Sequence, residues 1–263
     1  GTVIRNTADS DNQKTCTTTT ADAARTTVNT AITNAVAGDM ICVPAGSATW
    51  TTAISITKRV SVIGAAGPSA PLAAQTVITA TAGNFTIDNT VGVRIAQFRW
   101  VLGASGSFTI TDSQDFRIDH NTIIRDTAAN HTNEAIIIYE SNGGGEPYGL
   151  IDNNSFTYGR IEYFGENFST PPNSYGGGRR WDDPLALGGS RAVYIEDNLF
   201  NNDDPATSLN MAMVDGNLGC RYVGRFNTIL GGRWAVHSLQ ADNERGCMLW
   251  EIYHNTMTNP PGN

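Results

Sequence analysis

Along most of the chain apolar residues alternate with polar ones in short runs, and each run is cut by glycine, proline, aspartate or asparagine. A period of two belongs to a strand with one buried face. The pattern predicts early strands at Met40–Val43, Ile54–Ile56, Val60–Ile63, Val77–Thr79, Phe85–Ile87, Val93–Trp100 and Phe108–Ile110. One segment departs from it: Val28, Ala31, Ile32, Ala35 and Val36 recur at helical spacing, after capping candidates Thr20 and Asp22 and before Gly38. One amphipathic helix (residues 1–39 with its leading segment) ahead of strands only suits a cover for the open end of a coil.

From Phe116 a phrase returns five times, an apolar run closed by an asparagine: Asn121, Asn154, Asn198, Asn227 and Asn255, separated by 33, 44, 29 and 28 residues. Such a period implies a solenoid of stacked coils, so residues 40–263 read as one continuous domain. Asparagine tolerates left-handed backbone and its amide bonds turn backbone, which predicts the five residues at one corner, in a ladder. Each coil reads as three strands: Asn210–Asp215, Arg221–Arg225 and Thr228–Leu230, then Trp234–Ser238, Leu249–Tyr253 and Thr256–Met257. Alternation places Ile118, Ile137, Ile151, Phe156, Ile195, Phe200 and Val236 among the interior side chains.

Charge removes one class of function. A net charge of −8 opposes the phosphate attraction behind nucleic-acid binding, so no nucleic-acid partner is expected. No run approaches the roughly 18 apolar residues that span a bilayer. Cys220 and Cys247 stand seven and eight residues before their ladder asparagines, hence almost above one another: either a disulfide, with a secreted or cell-surface location, or two stacked thiols. Cys16 and Cys42 flank the helix and suit a second bridge. The four histidines and four cysteines lack zinc-site spacing.

The covering helix, the run Ala37–Trp50, the run Val60–Gly67 and the Ile-x-x-Asn corners together resemble secreted right-handed parallel β-helix proteins of the pectin-lyase-like superfamily. The stretch from Asp215-Gly216 through Arg225-Phe226-Asn227, His237, Arg245-Gly246 and Trp250–Tyr253 resembles a bacterial branch of it. The resemblance implies an all-β chain, a single right-handed parallel β-helix with an N-terminal capping α-helix, and ligands along the outer face of the first strands. It implies no single reaction, because the superfamily holds lyases, hydrolases, esterases, tailspikes and adhesins. The Arg-x-Lys and Gly-His-Gly pattern of polygalacturonases is absent, and the lysines Lys14 and Lys58 precede the repeats, which excludes a lysine-based lyase there.

Two insertions widen the repeat, Arg125 to Glu134 and Tyr158 to Asp183. The second carries Tyr163, Arg179, Arg180, Trp181, Asp182 and Asp183, the candidates for binding a sugar: rings stack on sugar faces and arginine forks take carboxylates. An ordered loop whose aromatics only pack on the coil fits equally. Asp182-Asp183 also suit Ca2+, the one cofactor considered, though Asp-Asp-Pro reads as a turn. Aligned by apolar pattern, Glu140, Asp215 and His237 share a column at first-strand ends, with Arg245 and Arg221 beside the same corner. Asp215 next to His237 would make an acid/base pair and Arg245 an anion stabiliser; Asp215 as a turn cap is the plainer alternative. These residues suggest a secreted protein binding or cleaving an acidic polysaccharide, by lyase or hydrolase chemistry. The rival is a surface adhesin, tailspike-like module or fibre subunit. Residues 258–263 follow the last corner without a covering element, so either the natural chain is longer or a second subunit stacks there.

Overall fold

The computed structural model describes residues 15–125, 133–141, 144–166, 191–202, 211–236, 246–247 and 249–258. Every strand pairs in parallel with the strand one coil away, and three sheets result, of nine, eight and seven strands. The chain visits them in rotation, for example Val60–Ile63 in the nine-stranded sheet, Thr76–Ala82 in the eight-stranded one and Phe85–Asp88 in the seven-stranded one. This is a single right-handed parallel β-helix. Helix Arg25–Asn34 covers its N-terminal end with Val28 and Ile32 buried, and Trp50 Nε1 donates to the Ala23 carbonyl at 3.0 Å. The helix has no side-chain cap; Asp22 instead accepts from the Ala24 amide at 2.9 Å, just before it.

Strands Arg221–Arg225, Thr228–Leu230 and Leu249–Tyr253 stand where the alternation predicts them. The run Val93–Trp100, expected as one strand, is two, Arg94–Ala96 and Phe98–Ser105, because Gln97 sits at φ 65° and turns a corner between them. Strand Gly46–Trp50 has no counterpart in the expectation, its Gly-Ser-Ala-Thr content carrying little apolar signal.

Stacking puts like residues in register. Ile95, Ile118, Ile151 and Ile195 form one inward column, and Phe156 stacks on Phe200 at 4.7 Å. The column breaks at Gly224, where a Cβ would lie 2.3 Å from the Trp234 ring, so the missing side chain is what admits the indole. Trp50, Phe85, Trp100 and Phe108 fill the wider N-terminal coils with edge-to-face contacts.

The five asparagines share one corner. The side-chain oxygens of Asn154, Asn198, Asn227 and Asn255 each accept from the backbone amide of the asparagine one coil earlier, at 3.0, 3.0, 3.0 and 2.9 Å, and that of Asn121 accepts from the Phe98 amide at 3.1 Å. The left-handed residue at that corner is the one before each asparagine: His120, Asn153, Asp197, Phe226 and His254, all at φ between 54° and 59°. Asparagine is therefore selected for its buried amide, which has both donors and an acceptor to spend.

Both disulfides are present, Cys16 with Cys42 and Cys220 with Cys247. The first ties the edge strand Thr18–Thr19 of the nine-stranded sheet to its neighbour Asp39–Cys42. The second spans two successive coils next to Gly216, whose added Cβ would meet both sulfurs.

Candidate functional site

Alternation in the seven-stranded sheet sends Ile136, Ile138, Ile161, Tyr163 and Val214 into the core and turns their neighbours outward. Register then fixes two outward columns. One runs Ser55, Thr86, Thr109, Ile137, Glu162, Asp215. The other runs Asp88, Thr111, Tyr139, Phe164, Asn217.

Where these columns meet the head of two strands, four charges gather. Arg160 donates from Nη2 to Glu134 Oε1 at 2.6 Å and to Glu162 Oε2 at 3.2 Å, and its Nη1 lies 3.5 Å from Asp215 Oδ2. Glu162 and Asp215 are 12% and 1% exposed, so water screens them poorly. Burial pushes the Glu162 carboxyl up, and the hydrogen bond and repulsion from Glu134, with repulsion from Asp215, add to it; against the pull of Arg160 the group still rises to about 7. Burial pushes Glu134 up most strongly of any single cause, but the hydrogen bonds from Arg160, the backbone and Glu162, with the charge of Arg160, together outweigh it and hold the carboxyl below its ordinary range. Burial lowers Arg160, but Glu134, Glu162 and Asp215 more than reverse it, so the guanidinium stays charged. One proton thus sits on a carboxyl pair around a fixed cation near neutral pH. Beside them Tyr139 and Phe164 stack at 5.0 Å and 10°, and Tyr139 is 38% exposed.

The raised Glu162 makes stability depend on pH. Between the unfolded value of 4.5 and about 7 the native state holds a proton the unfolded chain has released, so stability is fullest below that window and falls as pH rises through it. Each unit of displacement is worth about 1.4 kcal/mol; the opposite displacement of Glu134 acts below its ordinary value of 4.5 and leaves this window almost untouched. The expected loss from pH 5 to 7.5 is about 1–2 kcal/mol, read from urea unfolding at a series of pH values, and Glu162→Gln should flatten the slope. Wild-type stability that rises over this range would show Glu162 to be ionised throughout.

The register revises the sequence alignment. Asp215 stands between Glu162 and Ala235, and Glu140 pairs further along with Glu166, so Glu140 and Asp215 do not share a column. Register shifts between Glu134 and Ile136 and between Tyr139 and Glu140 displace that strand; the same irregularity leaves Ile137 facing outward between buried Ile136 and Ile138. Tyr163 is 1% exposed with its hydroxyl donating to the Pro147 carbonyl at 3.4 Å, a core residue rather than a sugar-facing one. Arg221 is buried against Glu146 at 2.9 Å. His237, Arg245, Arg179, Arg180, Trp181, Asp182 and Asp183 lie outside the described residues. The sequence pattern does not disclose Glu134, Arg160, Glu162, Tyr139 and Phe164 as a cluster, because the long spacing from Tyr158 to Asp183 reads as one loop, whereas Arg160–Glu166 is a strand. Its alternating Arg-Ile-Glu-Tyr-Phe was the available signal.

Other charged groups are committed elsewhere. On the outer face of the nine-stranded sheet Arg94 forks onto Asp119 (2.8 and 2.6 Å) and Arg117 onto Asp152 (2.9 and 2.8 Å), all four residues buried. A cleft of about 430 Å3 beside Cys42, Ile63 and Gln97 has Arg94 as its charged liner, already held by Asp119. Among the described residues no group of three or more His, Cys, Asp or Glu side chains could hold a metal ion, and no helix is long and apolar enough to cross a membrane.

No protein-family model matches the chain, and no curated protein matches it. Among solved structures it is similar to the family 28 exopolygalacturonase of Yersinia enterocolitica, at 11% identity and a TM-score of 0.40, over 95% of this chain and 64% of that one.

Proposed function

We propose that the protein is a secreted carbohydrate-active β-helix, a glycoside hydrolase that receives its glycan over the outer face of the seven-stranded sheet. The observation that carries this is the Arg160 cluster: a carboxyl at Glu162 raised to about 7, further carboxylates at Glu134 and Asp215, and a stacked aromatic pair alongside of which Tyr139 is exposed. Hydrolysis needs one carboxyl to protonate the leaving oxygen and another to assist water or bond the anomeric carbon. Glu162 gives its proton to the glycosidic oxygen as the C–O bond breaks. The second carboxylate, which takes a proton from the attacking water, comes from the same cluster, in which Arg160 fixes the positions of the acids and Asp215, 1% exposed, anchors Arg160. A lyase would need a neutral base at the uronate C5, and Arg160, bound by three carboxylates, cannot release its proton to become one. The disulfides support a location outside the reducing cytosol.

The test is a polysaccharide screen that reads new reducing ends and unsaturated products separately. Reducing ends without unsaturated ends are expected; unsaturated ends would replace the hydrolase with a lyase. The scaffold reading keeps one observation, Trp250 and Met257 exposed by 53% and 49% on the coil 249–258. A protein that binds and cleaves no glycan but associates through these side chains would be such a scaffold.

A further inference from the structure

Resting on that hydrolase reading, we infer that the described face is built for an uncharged glycan running parallel to the helix axis, with its sugar residues on the hydroxyl shelf of Ser55, Thr86, Thr109 and Thr111 and one ring against Tyr139. Three features of the face lead there. The first is charge. Asp88 and Glu134 project from it, Glu162 is 12% and Asp215 1% exposed, and the cation at its centre, Arg160, is consumed by Glu134, Glu162 and Asp215. Arg233, the other arginine of a described strand in this sheet, belongs to the strand at its far edge. A uronate brought over this surface meets like charge and, among the described residues of this sheet's strands, finds no central arginine uncommitted to a carboxylate, which is how a site rejects a ligand.

The second feature is the shelf. Three successive coils present Ser55, Thr86 and Thr109 in one outward column, Ser55 exposed and the two threonines partly buried, with Asp88 and Thr111 in the next. Coils repeat every ~4.8 Å, a step comparable with the length of one pyranose residue. A chain laid along the axis therefore meets a hydroxyl at each sugar. Threonine and serine hydroxyls both donate and accept, and Asp88 accepts, which suits the mixed donors and acceptors of neutral sugar hydroxyls. No side chain in this shelf is cationic.

The third is the aromatic step. Phe164 covers one face of Tyr139, and the neighbour on the other side is Thr111, too small to cover a phenol ring, so Tyr139 remains 38% exposed. Its ring therefore ends the shelf next to Glu162, where the electron-rich face attracts the C–H side of a sugar ring. Burial first, then the charges of Glu162 and Glu134, push its hydroxyl pKa up, so the phenol stays a neutral donor. The bond to be cut would lie where the shelf meets the carboxyls.

The experiment compares neutral oligosaccharides (β-glucan, galactan, mannan and xylan fragments) with oligogalacturonate and oligoalginate, by calorimetric binding and by cleavage, using the full chain. At least one neutral series should bind at least about tenfold tighter than either uronate. Tyr139→Ala should weaken that binding about tenfold, and Thr109→Arg, which places a free cation on the shelf, should narrow the gap to uronates. Tight uronate binding by the wild type, or neutral binding that ignores both substitutions, would overturn the inference. Uronate cleavage that depends on Glu162 would sink the ligand class but leave the hydrolase. Neutral binding dependent on Tyr139 without cleavage would keep the ligand class and sink the hydrolase, and no binding of any glycan would sink both.

Discussion

Asn198→Ala should cost about 4 kcal/mol, a large share of the roughly 5–15 kcal/mol that holds a domain together. The side chain is 2% exposed in the middle of the ladder. Its oxygen accepts from the Asn154 amide at 3.0 Å, and its nitrogen donates to the Ile151 carbonyl at 2.8 Å and the Glu196 carbonyl at 3.0 Å. Alanine leaves an N–H and two carbonyls buried without those partners, at about 1–3 kcal/mol each before relaxation. The neighbouring left-handed position behaves differently. Asn153 is exposed at φ 54°, and Asn153→Gly, which removes the Cβ that disfavours this backbone, should stay within about 1 kcal/mol of wild type. Urea unfolding of the two variants checks both. Equal losses would mean that the corner depends on backbone conformation and not on the amide ladder.

That contrast shows what the sequence could reveal. Five asparagines at a solenoid period disclose the coil, because stacking forces each coil to solve the same corner in the same way. The period does not reveal which corner residue takes the strained backbone, since His120, Asn153, Asp197, Phe226 and His254 have no side-chain property in common. Strands whose inward residues are large, such as Leu249–Tyr253, are readable; Gly46–Trp50 is not, because Ala48 and Trp50 are its only apolar side chains beside Gly46, Ser47 and Thr49. Cys220 and Cys247 could be paired from their offsets because a coil converts sequence distance into height.

The candidate site was less accessible for a physical reason. Its cluster depends on register to a single residue, and one irregularity beside Glu134 and another before Glu140 shift the columns by a place. Asp215 was found by its strand-end position, but its neighbour Glu162 lies 53 residues away in a coil whose length was hidden by an insertion. Arg160–Glu166 as a strand turns Tyr163 inward and Glu162 and Phe164 outward, which exchanges the expected sugar-facing residue for its two neighbours.

Glu162→Gln should then lower kcat on a cleaved glycan by about 10²–10⁴-fold, the usual contribution of a positioned general acid. The amide keeps the size of the side chain and its reach to Arg160 but has no acidic proton to give, so KM should change far less than kcat. The pH profile separates chemistry from positioning. If Glu162 must be protonated, kcat/KM of the wild type declines above about 7, where the buried carboxyl ionises. Glu134→Gln removes the neighbouring negative charge that helps hold that proton, so the alkaline limb should move to lower pH while the protein stays folded. Full activity in Glu162→Gln, or an alkaline limb that stays in place when Glu134 is neutralised, would remove Glu162 from proton transfer. In the second case Arg160 and its carboxylates would remain a structural tie between the coils at 134, 160 and 215, and their substitution would show in unfolding rather than in turnover.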